Sequence, residues 1–497
     1  MPSPMILSTG VPGLDHILRG GLPGSRVYLI SGDPGVGKTT LAIQFLLEGV
    51  RQGESVLYIT LSESRDEVDS VAKSHGWNME GISVFEITEL QSLQAAEEGD
   101  NYVFHADEVE LSEIMNSLLK EVERVKPIRV VFDSLSELRL LSQNPLRYRR
   151  QIQRLKHFFS GRHCTALLLD DRSAGETDHH FESICHGVID LELQSPGYGA
   201  ARRRLQVTKL RGLDFRSGYH DFAVRKGGLI VFPRLVAQEH PLPFKQEQLE
   251  SGIPELDKLL GGGVHRGRCV LVAGAAGLGK STLAAQFLAH GATRGIRAKW
   301  FLFDERPETL LMRAQMLSID IAGPIERGQI DLQQIDPAEM SAGEFSDAVL
   351  QAVEIGARYL VIDSVSGFLN AMRDEKDLSL QLHEMLSYLG QRGVTTFLIL
   401  GQHGIVGTAP EAPVDVSYLS DVILLLRYFE SAGATRKAIS VIKQRTGFPE
   451  TTIREFFIDK GGIQIGNPLK GFHGMLSPTL QFTGRDQQLL RKKKVAQ

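Results

Sequence analysis

Two stretches of the sequence combine glycines, a lysine and a hydroxyl residue in the order that cradles phosphate groups. The first, "SGDPGVGKTT", begins at Ser31, and the second, "AGAAGLGKST", begins at Ala273, 242 residues later. Both fit the pattern G-x-x-x-x-G-K-[ST], in which backbone N–H groups and the lysine bind phosphates and the final hydroxyl ligates magnesium. Each stretch follows a short apolar run and precedes a helical pattern, as the motif requires. We therefore predict two sites for a nucleotide with magnesium.

The predicted nucleotide contacts lie in these two loops and at the start of the helix that follows each of them. The positive end of that helix adds to the attraction for phosphate. A chance glycine-rich turn is the alternative for either loop, but two matches in the required context argue against it. The residues concerned are Gly32, Gly35, Gly37, Lys38, Thr39 and Thr40, and Gly274, Gly277, Gly279, Lys280, Ser281 and Thr282.

One aspartate in each copy is placed to hold the magnesium through water. Asp133 ends the apolar run "VVFD", Asp363 ends "LVID", and each precedes a serine. An aspartate at the end of a parallel strand emerges at the same sheet edge as the phosphate loop. Thr39 and Ser281 would supply the hydroxyl ligands. The alternative for each aspartate is a cap on the following helix.

Hydrolysis also needs a carboxylate that orients and polarises the attacking water. The strand after each phosphate-loop helix ends in "YITLSES" or "WFLFDERPE", which offers Glu63, Asp304 and Glu305. We expect this strand to lie next to the phosphate-loop strand. Because neighbouring residues on a strand point to opposite faces, one acid of each pair should face the γ-phosphate. Acids on a solvated surface at a strand end are the alternative.

The two loops belong to a duplicated domain. Residues 7–46 align with 249–288 without a gap, and about half of the 40 positions are identical. Later landmarks repeat too, since "RVVFDSLS" matches "YLVIDSVS" and "VTKLRG" matches "VIKQRTG". A polar, proline-containing segment separates the copies. We predict an N-terminal domain over 1–236, a C-terminal domain over 237–480 and a flexible basic tail over 481–497.

Within each copy, short β-branched runs alternate with amphipathic helical patterns. In the first copy the runs are "RVYLIS", "SVLYIT", "ISVFEI", "IRVVFD" and "CTALLLD". Continuous apolar strands separated by helices predict a mostly parallel sheet covered on both faces. After "GVIDLEL", Pro196-Gly197 predicts a hairpin. The expected fold class is α/β, with antiparallel strands at the C-terminal edge of each sheet.

Composition excludes several classes of protein. Hydrophobic residues make up 42% and charged residues 23% of the 497, as in ordinary soluble globular proteins. No apolar run approaches the roughly 18 residues that span a bilayer, so we expect no membrane association. Three cysteines without metal-ligand spacing predict a reduced, cytoplasmic compartment. The net charge of −5 argues against non-specific nucleic-acid binding.

The whole pattern resembles the KaiC family, circadian-clock ATPases and autokinases of the RecA-like superfamily. The resemblance rests on the openings "GVPGLD" and "GIPELD", on the closings "KLRG" and "KQRTG", and on the tail piece "GMLSPT". It implies two tandem RecA-like P-loop domains that bind ATP with Mg²⁺. It also implies a homohexameric double ring with ATP between subunits, autokinase activity in the C-terminal domain, and regulatory protein partners.

Two basic pairs acquire a role from this resemblance. Lys209 and Arg211, like Lys443 and Arg445, stand two positions apart on predicted strands, so both members point to one side. Without the resemblance, such residues are usually a solvated face. In a ring, each pair would reach a neighbour's γ-phosphate and compensate charge in the transition state.

The acids depart from the family pattern, which has two adjacent glutamates after the second strand of each domain. This chain has Ser62-Glu63 and Asp304-Glu305. If the first member is the working base, the first domain has lost it and hydrolysis there should be weak. If the second member is the base, both domains are intact.

The phosphorylation sites depart as well. The family carries adjacent serine and threonine acceptors before a strand of its C-terminal domain, and the matching stretch here is "VSYLSDVILLL". Ser417 matches the serine, and Tyr418 stands in place of the threonine. Ser417 is therefore the predicted acceptor, with Ser420 nearby. A loop serine without an acceptor role is the alternative.

Two other functions are compatible with paired phosphate loops. The first is a RecA-like DNA recombination factor or helicase, for which residues 144–159 are the best basic stretch. We interpret that stretch as a solvated or intersubunit face, and the "RKKK" run in the tail as solvated, so nucleic acid is not an expected partner. The second is a non-catalytic, ATP-gated scaffold.

Overall fold

In a computed structural model of the protein, the chain forms two compact units, Met1–Arg234 and Leu235–Gln497. Of the predicted tail, only residues 481–482 are described, and the "RKKK" run and "GMLSPT" both lie outside the described residues. The described residues are 5–86, 106–142, 145–160, 162–172, 182–371, 378–401, 416–431, 433–470, 472–473 and 481–482.

In the first unit, strands and helices alternate along the chain as the sequence pattern predicts. Its strands are β1 (Ile6–Leu7), β2 (Leu22–Pro23), β3 (Val27–Gly32), β4 (Val56–Thr60), β5 (Ile82–Glu86), β6 (Arg129–Asp133), β7 (Thr165–Asp171), β8 (Gly187–Gln194), β9 (Arg202–Leu210), β10 (Tyr219–Arg225) and β11 (Gly228–Phe232). Its helices are α1 (Pro12–Ile17), α2 (Lys38–Arg51), α3 (Arg65–Ser74), α4 (Ala106–Val125), α5 (Leu135–Ser142) and α6 (Pro145–Ser160).

The second unit repeats this order of elements after a short 3₁₀ turn at Ala237–Glu239. Its strands are β12 (Gln248–Leu249), β13 (Val264–His265), β14 (Cys269–Gly274), β15 (Ala298–Leu302), β16 (Ile330–Gln334), β17 (Tyr359–Asp363), β18 (Thr395–Gly401), β19 (Val422–Ser431), β20 (Ala434–Gln444), β21 (Arg454–Asp459), β22 (Gly462–Pro468), β23 (Phe472–His473) and β24 (Gln481–Phe482). Its helices are α7 (Pro254–Leu259), α8 (Lys280–Thr293), α9 (Pro307–Met316), α10 (Ala322–Glu326), α11 (Ala342–Ile355), α12 (Val365–Ala371) and α13 (Leu378–Gln391).

Each unit is built on a nine-stranded sheet. The strand order is β11-β10-β9-β8-β3-β7-β6-β4-β5 in the first unit and β16-β15-β17-β18-β14-β19-β20-β21-β22 in the second. Six neighbouring strands of each sheet run parallel. The other three strands of each sheet, which follow its parallel strands in the sequence, are antiparallel. The predicted α/β class with antiparallel strands beyond the parallel sheet is confirmed, including the β8–β9 hairpin.

The position expected for the strand after the phosphate-loop helix is wrong. In the first unit β3 pairs with β7 and β8, whereas β4 pairs with β5 and β6. The second unit has the same order, with β17 and β18 between β14 and β15. In the first unit β6 and β7 lie between β3 and β4, because the chain crosses over the sheet after β5 and returns to its middle. The acids after β4 and β15 therefore lie beside the strand that ends in the predicted magnesium aspartate.

The core of each unit lies on both faces of its sheet, which is why the parallel strands are continuously apolar. In β3, Tyr28 and Ile30 pack in the cluster that contains Phe45 of α2. Val27 and Leu29 pack on the opposite face, in the cluster that contains residues of α4 and α6. Buried on both faces, β3 holds the phosphate loop at a fixed place at its carboxyl end.

Candidate active sites

The phosphate loop of the first unit joins the end of β3 to the start of α2. Gly37 precedes α2 with a φ of 120°, in the region that favours glycine because a Cβ would be strained there. The Lys38 ammonium is buried and donates hydrogen bonds to the carbonyl oxygens of Gly32 and Asp33, both at 2.9 Å. The same ammonium lies 2.5 Å from Asp171 Oδ1. The loop thus encloses the lysine that is predicted to bind phosphate.

The phosphate loop of the second unit has the same backbone shape and fewer partners for its lysine. Gly279 precedes α8 with a φ of 100°. The Lys280 ammonium donates to the carbonyl oxygen of Ala275 at 2.9 Å, and burial lowers the pKa of this lysine. Asp171 pairs in register with the first glycine of its loop, but Gly401 occupies that place in the second unit. The second lysine therefore lacks the acidic partner of the first.

The predicted magnesium ligands of the first unit lie in contact. The Thr39 hydroxyl donates to Asp133 Oδ2 at 3.1 Å, and the Tyr58 hydroxyl donates to the same oxygen at 2.6 Å. Burial raises the pKa of the Asp133 carboxyl, and these hydrogen bonds partly offset that rise. A carboxylate beside a hydroxyl matches the oxygen ligands that magnesium takes.

The equivalent aspartate of the second unit is less well satisfied. Trp300 occupies the place of Tyr58 in β15, and its indole N–H, although a donor, is buried without a hydrogen-bond partner among the described residues. Among the described residues, Asp363 Oδ2 is buried without a hydrogen-bond partner. Burial raises the pKa of Asp363 to about 6, although a hydrogen bond from Ser281 opposes the rise. A buried, unsatisfied carboxylate oxygen next to a hydroxyl fits a divalent cation.

Glu63 is half-buried at the turn between β4 and α3. Its backbone N–H donates to Thr60 Oγ1 at 3.0 Å, and the Thr60 hydroxyl donates to the Glu63 carbonyl at 2.8 Å. The next residue, Ser64, caps α3 in a capping box with Glu67. Burial raises the pKa of the Glu63 carboxyl, and repulsion from Asp133 raises it further. Its Oε2 has no hydrogen-bond partner in the described part of the chain.

The acidic pair of the second unit is fully engaged. Asp304 accepts a hydrogen bond from the Ser364 hydroxyl, which in turn accepts one from the Gly367 N–H at 3.0 Å. Glu305 accepts two hydrogen bonds from the Arg313 guanidinium, at 2.7 and 2.8 Å. Glu305 is close enough to raise the pKa of Asp363 by repulsion.

The candidate acids were expected on the strands, and this expectation is wrong. β4 ends at Thr60 and β15 ends at Leu302, so each acidic pair follows its strand in the turn that leads to the next helix. Alternation along a strand therefore does not decide which acid faces the nucleotide. Glu63 lies close enough to Asp133, and Glu305 close enough to Asp363, for the carboxylates of each pair to repel one another.

The basic pair of the second unit holds the loop before β19. The Lys443 ammonium donates to the carbonyl oxygen of Ser417 at 2.9 Å, and Arg445 donates to that of Tyr418 at 2.7 Å. Arg445 also lies 3.7 Å from Asp421. Ser420 is fully buried and donates to the Val416 carbonyl, whereas Ser417 is partly exposed. The loop thus presents Ser417 and Tyr418 rather than Ser420.

The basic pair of the first unit makes the same contacts with the loop before β8. The Lys209 ammonium donates to the carbonyl oxygens of Glu182 and Ser183, at 2.7 and 3.2 Å, and Arg211 donates to that of Ser183 at 3.0 Å. Glu182 therefore stands where Ser417 stands in the second unit, and Ser183 matches Tyr418. The sequence already matches the stretch that begins at Phe181 with the one that begins at Val416, and the strand register agrees with that alignment.

Three further residues at these sites were missed by sequence reasoning. Asp171, Tyr58 and Arg313 each contact a predicted site residue. Asp171 carries a detectable signal, since it ends an apolar strand as Asp133 does. Tyr58 lies inside an apolar run and Arg313 lies on a helix, so neither differs in sequence from a core or surface residue.

Two general features of the described residues bear on the kind of site. No group of three or more histidine, cysteine or acidic residues in the described ranges is arranged to hold a metal ion by itself. Among the described helices, none has the length and apolar character needed to cross a membrane.

Comparison with known proteins agrees with this geometry. The family model described as "ATPase: KaiC" matches the chain twice, over residues 7–236 and 249–470. The chain belongs to the KaiC family. Each KaiC match contains one nine-stranded sheet with its phosphate loop, so the predicted pair of tandem KaiC-type, RecA-like domains is confirmed.

Curated KaiC relatives are similar along nearly the whole chain. Circadian clock protein KaiC3 of Synechocystis sp. is 27% identical over 491 residues, which cover 97% of this chain and 95% of that protein. Circadian clock oscillator protein KaiC of Picosynechococcus sp. is 28% identical over 477 residues, covering 95% and 91%. Circadian clock protein KaiC2 of Synechocystis sp. is 26% identical over 502 residues, covering 98% and 85%. The similarity therefore includes both units.

Membership of the KaiC family confirms the predicted activity class. The chain is a KaiC-like ATPase, and ATP is the nucleotide that the family's phosphate loops bind. The autokinase chemistry of KaiC proteins is the second activity of the family. These matches favour neither a DNA-handling protein nor a non-catalytic scaffold.

Proposed function

We propose that the protein hydrolyses ATP at both phosphate loops, with Glu63 and Glu305 as the acids that orient the attacking water. The observation that carries this proposal is the recurrence of lysine, hydroxyl residue and aspartate at the carboxyl edge of both sheets. Each glutamate lies within electrostatic range of the aspartate in its own unit. Lys38 would bind the β- and γ-phosphates in one unit, and Lys280 would do so in the other.

Magnesium would be held by Thr39 with Asp133 and by Ser281 with Asp363. The unsatisfied Asp363 Oδ2 supports this assignment, since a buried carboxylate oxygen normally has a partner. When bound, the cation neutralises charge that develops on the phosphates. The chain's own contribution is to keep these oxygens at one sheet edge and to hold a water proton acceptor nearby.

We propose that copies of the chain assemble into a homohexamer, with each ATP shared between one copy's loop and the next copy's basic pair. In support, Lys209 with Arg211 and Lys443 with Arg445 occupy equivalent positions at the end of a strand. In the second unit a cavity of about 500 Å³ adjoins this strand end. Arginines dominate its charge, and its lining includes Arg266, Arg268, Tyr418 and Arg445. Such a surface would attract the phosphates of a neighbour's nucleotide.

We propose that the second unit also transfers a phosphoryl group to Ser417. The serine oxygen would attack the γ-phosphorus of an ATP bound by the neighbouring copy. A bond forms between that oxygen and phosphorus, the bond to the β,γ-bridging oxygen breaks, and ADP leaves. The serine proton would pass to Glu305 or Asp304. Partial exposure of Ser417 and its place next to Lys443 support this choice over the buried Ser420.

The test is to incubate the purified protein with γ-labelled ATP and magnesium, and to separate released phosphate from labelled protein. We expect Glu63→Gln and Glu305→Gln each to remove part of the turnover, and the double variant to lose nearly all of it. Ser417→Ala should abolish labelling of the 416–427 peptide and leave phosphate release largely intact. Unchanged turnover in the double variant would contradict the role given to the glutamates. A label found elsewhere would contradict the role of Ser417.

We also propose a cytoplasmic location and regulatory protein partners. The free thiols of Cys164, Cys185 and Cys269 are all buried, and burial raises the pKa of each to about 12. Unpaired, unreactive thiols of this kind are typical of a reducing compartment. Affinity capture with and without ATP would test the partners, and a fluorescent fusion would test the location.

A further inference from the structure

The two glutamates that follow β4 and β15 occupy equivalent places and have opposite surroundings. Glu63 and Glu305 each stand three residues beyond the strand and one residue before the cap of the next helix. Eight positions further on, the first unit has Val71 and the second has Arg313. That single difference decides whether the carboxylate meets a guanidinium.

In the second unit both carboxylate oxygens are occupied. Arg313 Nη1 lies 2.7 Å from Glu305 Oε1, and Nη2 lies 2.8 Å from Oε2. This parallel pair of charge-assisted hydrogen bonds is the strongest arrangement an arginine makes with a carboxylate. An oxygen whose lone pair already accepts a short hydrogen bond from a cation is less available to an attacking water than one that does not.

In the first unit, no described residue places such a cation against the Glu63 carboxylate. Glu63 Oε2 is buried and has no hydrogen-bond partner among the described residues. Val71 is a partly buried apolar residue that packs on the core cluster of its unit. Its side chain has no donor, so the first unit has no counterpart to the bidentate pair at this position.

We propose that Arg313 is a latch that holds Glu305 away from water, so that the second unit hydrolyses ATP slowly until this pair opens. The inference rests on the proposed function, in which Glu305 orients water. Arg313 acts through Glu305 and is thus a positioning residue. Its side chain is 37% exposed, so it can leave the pair for solvent without disturbing the core.

The test measures each unit separately in the full-length protein. Glu63→Gln silences the first unit without removing its ATP-binding lysine, and Arg313→Met is then added. We expect kcat of the second unit to rise about three- to fivefold with little change in KM, which is the size of a partly exposed ion pair. Arg313→Lys, which keeps the charge and loses the fork, should give an intermediate rate.

The reciprocal change supplies a second measurement. In a Glu305→Gln background, Val71→Arg should lower kcat of the first unit, whereas Val71→Met controls for side-chain size at this partly buried place. Arg327→Met controls for loss of a positive charge elsewhere in the second unit, since the Arg327 guanidinium donates to Gln329 Oε1 and not to Glu305.

A readout independent of turnover comes from hydrogen exchange in the nucleotide-free protein. The pair ties Glu305, one residue before the N-cap of α9, to the last turn of that helix. Arg313→Met should therefore speed amide exchange over residues 305–313, and Arg327→Met should not. An Arg313→Met protein whose second-unit kcat is unchanged or lower overturns the latch. Persistent turnover in Glu63→Gln/Glu305→Gln would instead overturn the proposed role of the glutamates, and the two failures are thus distinguishable.

Discussion

The ammonium nitrogen of Lys443 lies 2.9 Å from the carbonyl oxygen of Ser417. The residue that is proposed to reach a neighbouring ATP therefore also holds the backbone of the proposed phosphoacceptor. If Lys443 moves toward a phosphate, its hydrogen bond to the Ser417 carbonyl must break or the loop must move with it, because the ammonium cannot otherwise contact both groups. In the proposed ring, occupancy of the subunit interface would thus be coupled to the placement of Ser417.

Loss of that contact should loosen one loop and leave the other unchanged. Lys443→Met removes one hydrogen bond to the 416–421 loop, a net loss of about 1 kcal/mol. We expect amide exchange there to become about fivefold faster, with no change over 182–187. Lys209→Met should show the reverse pattern, since Lys209 holds the first loop. Equal effects of both variants on both loops would be inconsistent with this coupling.

Removal of a buried charge should stabilise the second unit when magnesium is absent. The pKa of Asp363 is raised to about 6 by burial, so between pH 3.8 and about 6 the folded state retains a proton that the unfolded state has lost. Stability from this group is complete below pH 3.8, declines as pH rises, and is lost above about pH 6. Asp363→Asn should therefore raise the free energy of unfolding at pH 7.5 by up to about 3 kcal/mol.

Thermal unfolding in the presence of a chelator measures this effect. The gain from Asp363→Asn should shrink at pH 4, where the wild-type carboxyl is protonated in the folded state. Magnesium with ATP should stabilise the wild-type second unit and have little effect on the variant. If the thermal unfolding midpoint of Asp363→Asn at pH 7.5 lies below that of the wild type, the carboxylate makes favourable contacts in the absence of the cation.

The pH dependence of hydrolysis should differ from that of a free glutamate. The pKa of Glu63 is raised, chiefly by burial and then by repulsion from Asp133, and the base acts only when ionised. In a Glu305→Gln background, turnover should therefore fall toward low pH with an apparent midpoint above 4.5. Asp133 repulsion weakens when magnesium binds, so saturating magnesium should move the midpoint down. A midpoint at or below 4.5 at the lowest magnesium concentration that supports turnover would contradict the raised pKa of Glu63.

ATP affinity should be tunable at the first site through Asp171. Because its carboxylate lies 2.5 Å from the Lys38 ammonium, phosphate must compete with this ion pair. Asp171 is about one-third exposed, so the competition is modest and Asp171→Asn should tighten ATP binding about two- to fivefold. The second site is an internal control, since Gly401 stands at the matching position. Equal changes at both sites, measured by titration with a fluorescent ATP analogue, would refute this account.

The contiguous motifs could be predicted from sequence because local geometry dictates their residue types. The glycines before α2 and α8 adopt positive φ, and the hydroxyl and lysine follow at fixed spacing. Asp133 was identifiable because it ends an apolar strand. The α/β class followed for the same reason, since strands buried on both faces are apolar throughout.

The parts that could not be predicted depend on contacts between distant segments. The place of β4 beside β6 is set by where the chain crosses the sheet, which no single strand encodes. Arg313 lies on a helix surface with the composition of any solvated face, and only the turn geometry brings it to Glu305. Lys443 bonds to the backbone carbonyl of residue 417, which every residue type has, so the side chain at 417 could not indicate this contact.

Glu182 and Ser417 occupy equivalent positions, so the first unit has an acidic residue where the second unit has the proposed phosphorylation site. Each residue offers its carbonyl to the lysine of its own unit. Glu182 is acidic as encoded, whereas Ser417 would acquire a charge of about −1.5 to −2 on phosphorylation and lose it when the phosphate ester is hydrolysed. If Ser417 is phosphorylated as proposed, the charge at this position would be constant in the first unit and would follow the phosphorylation state in the second.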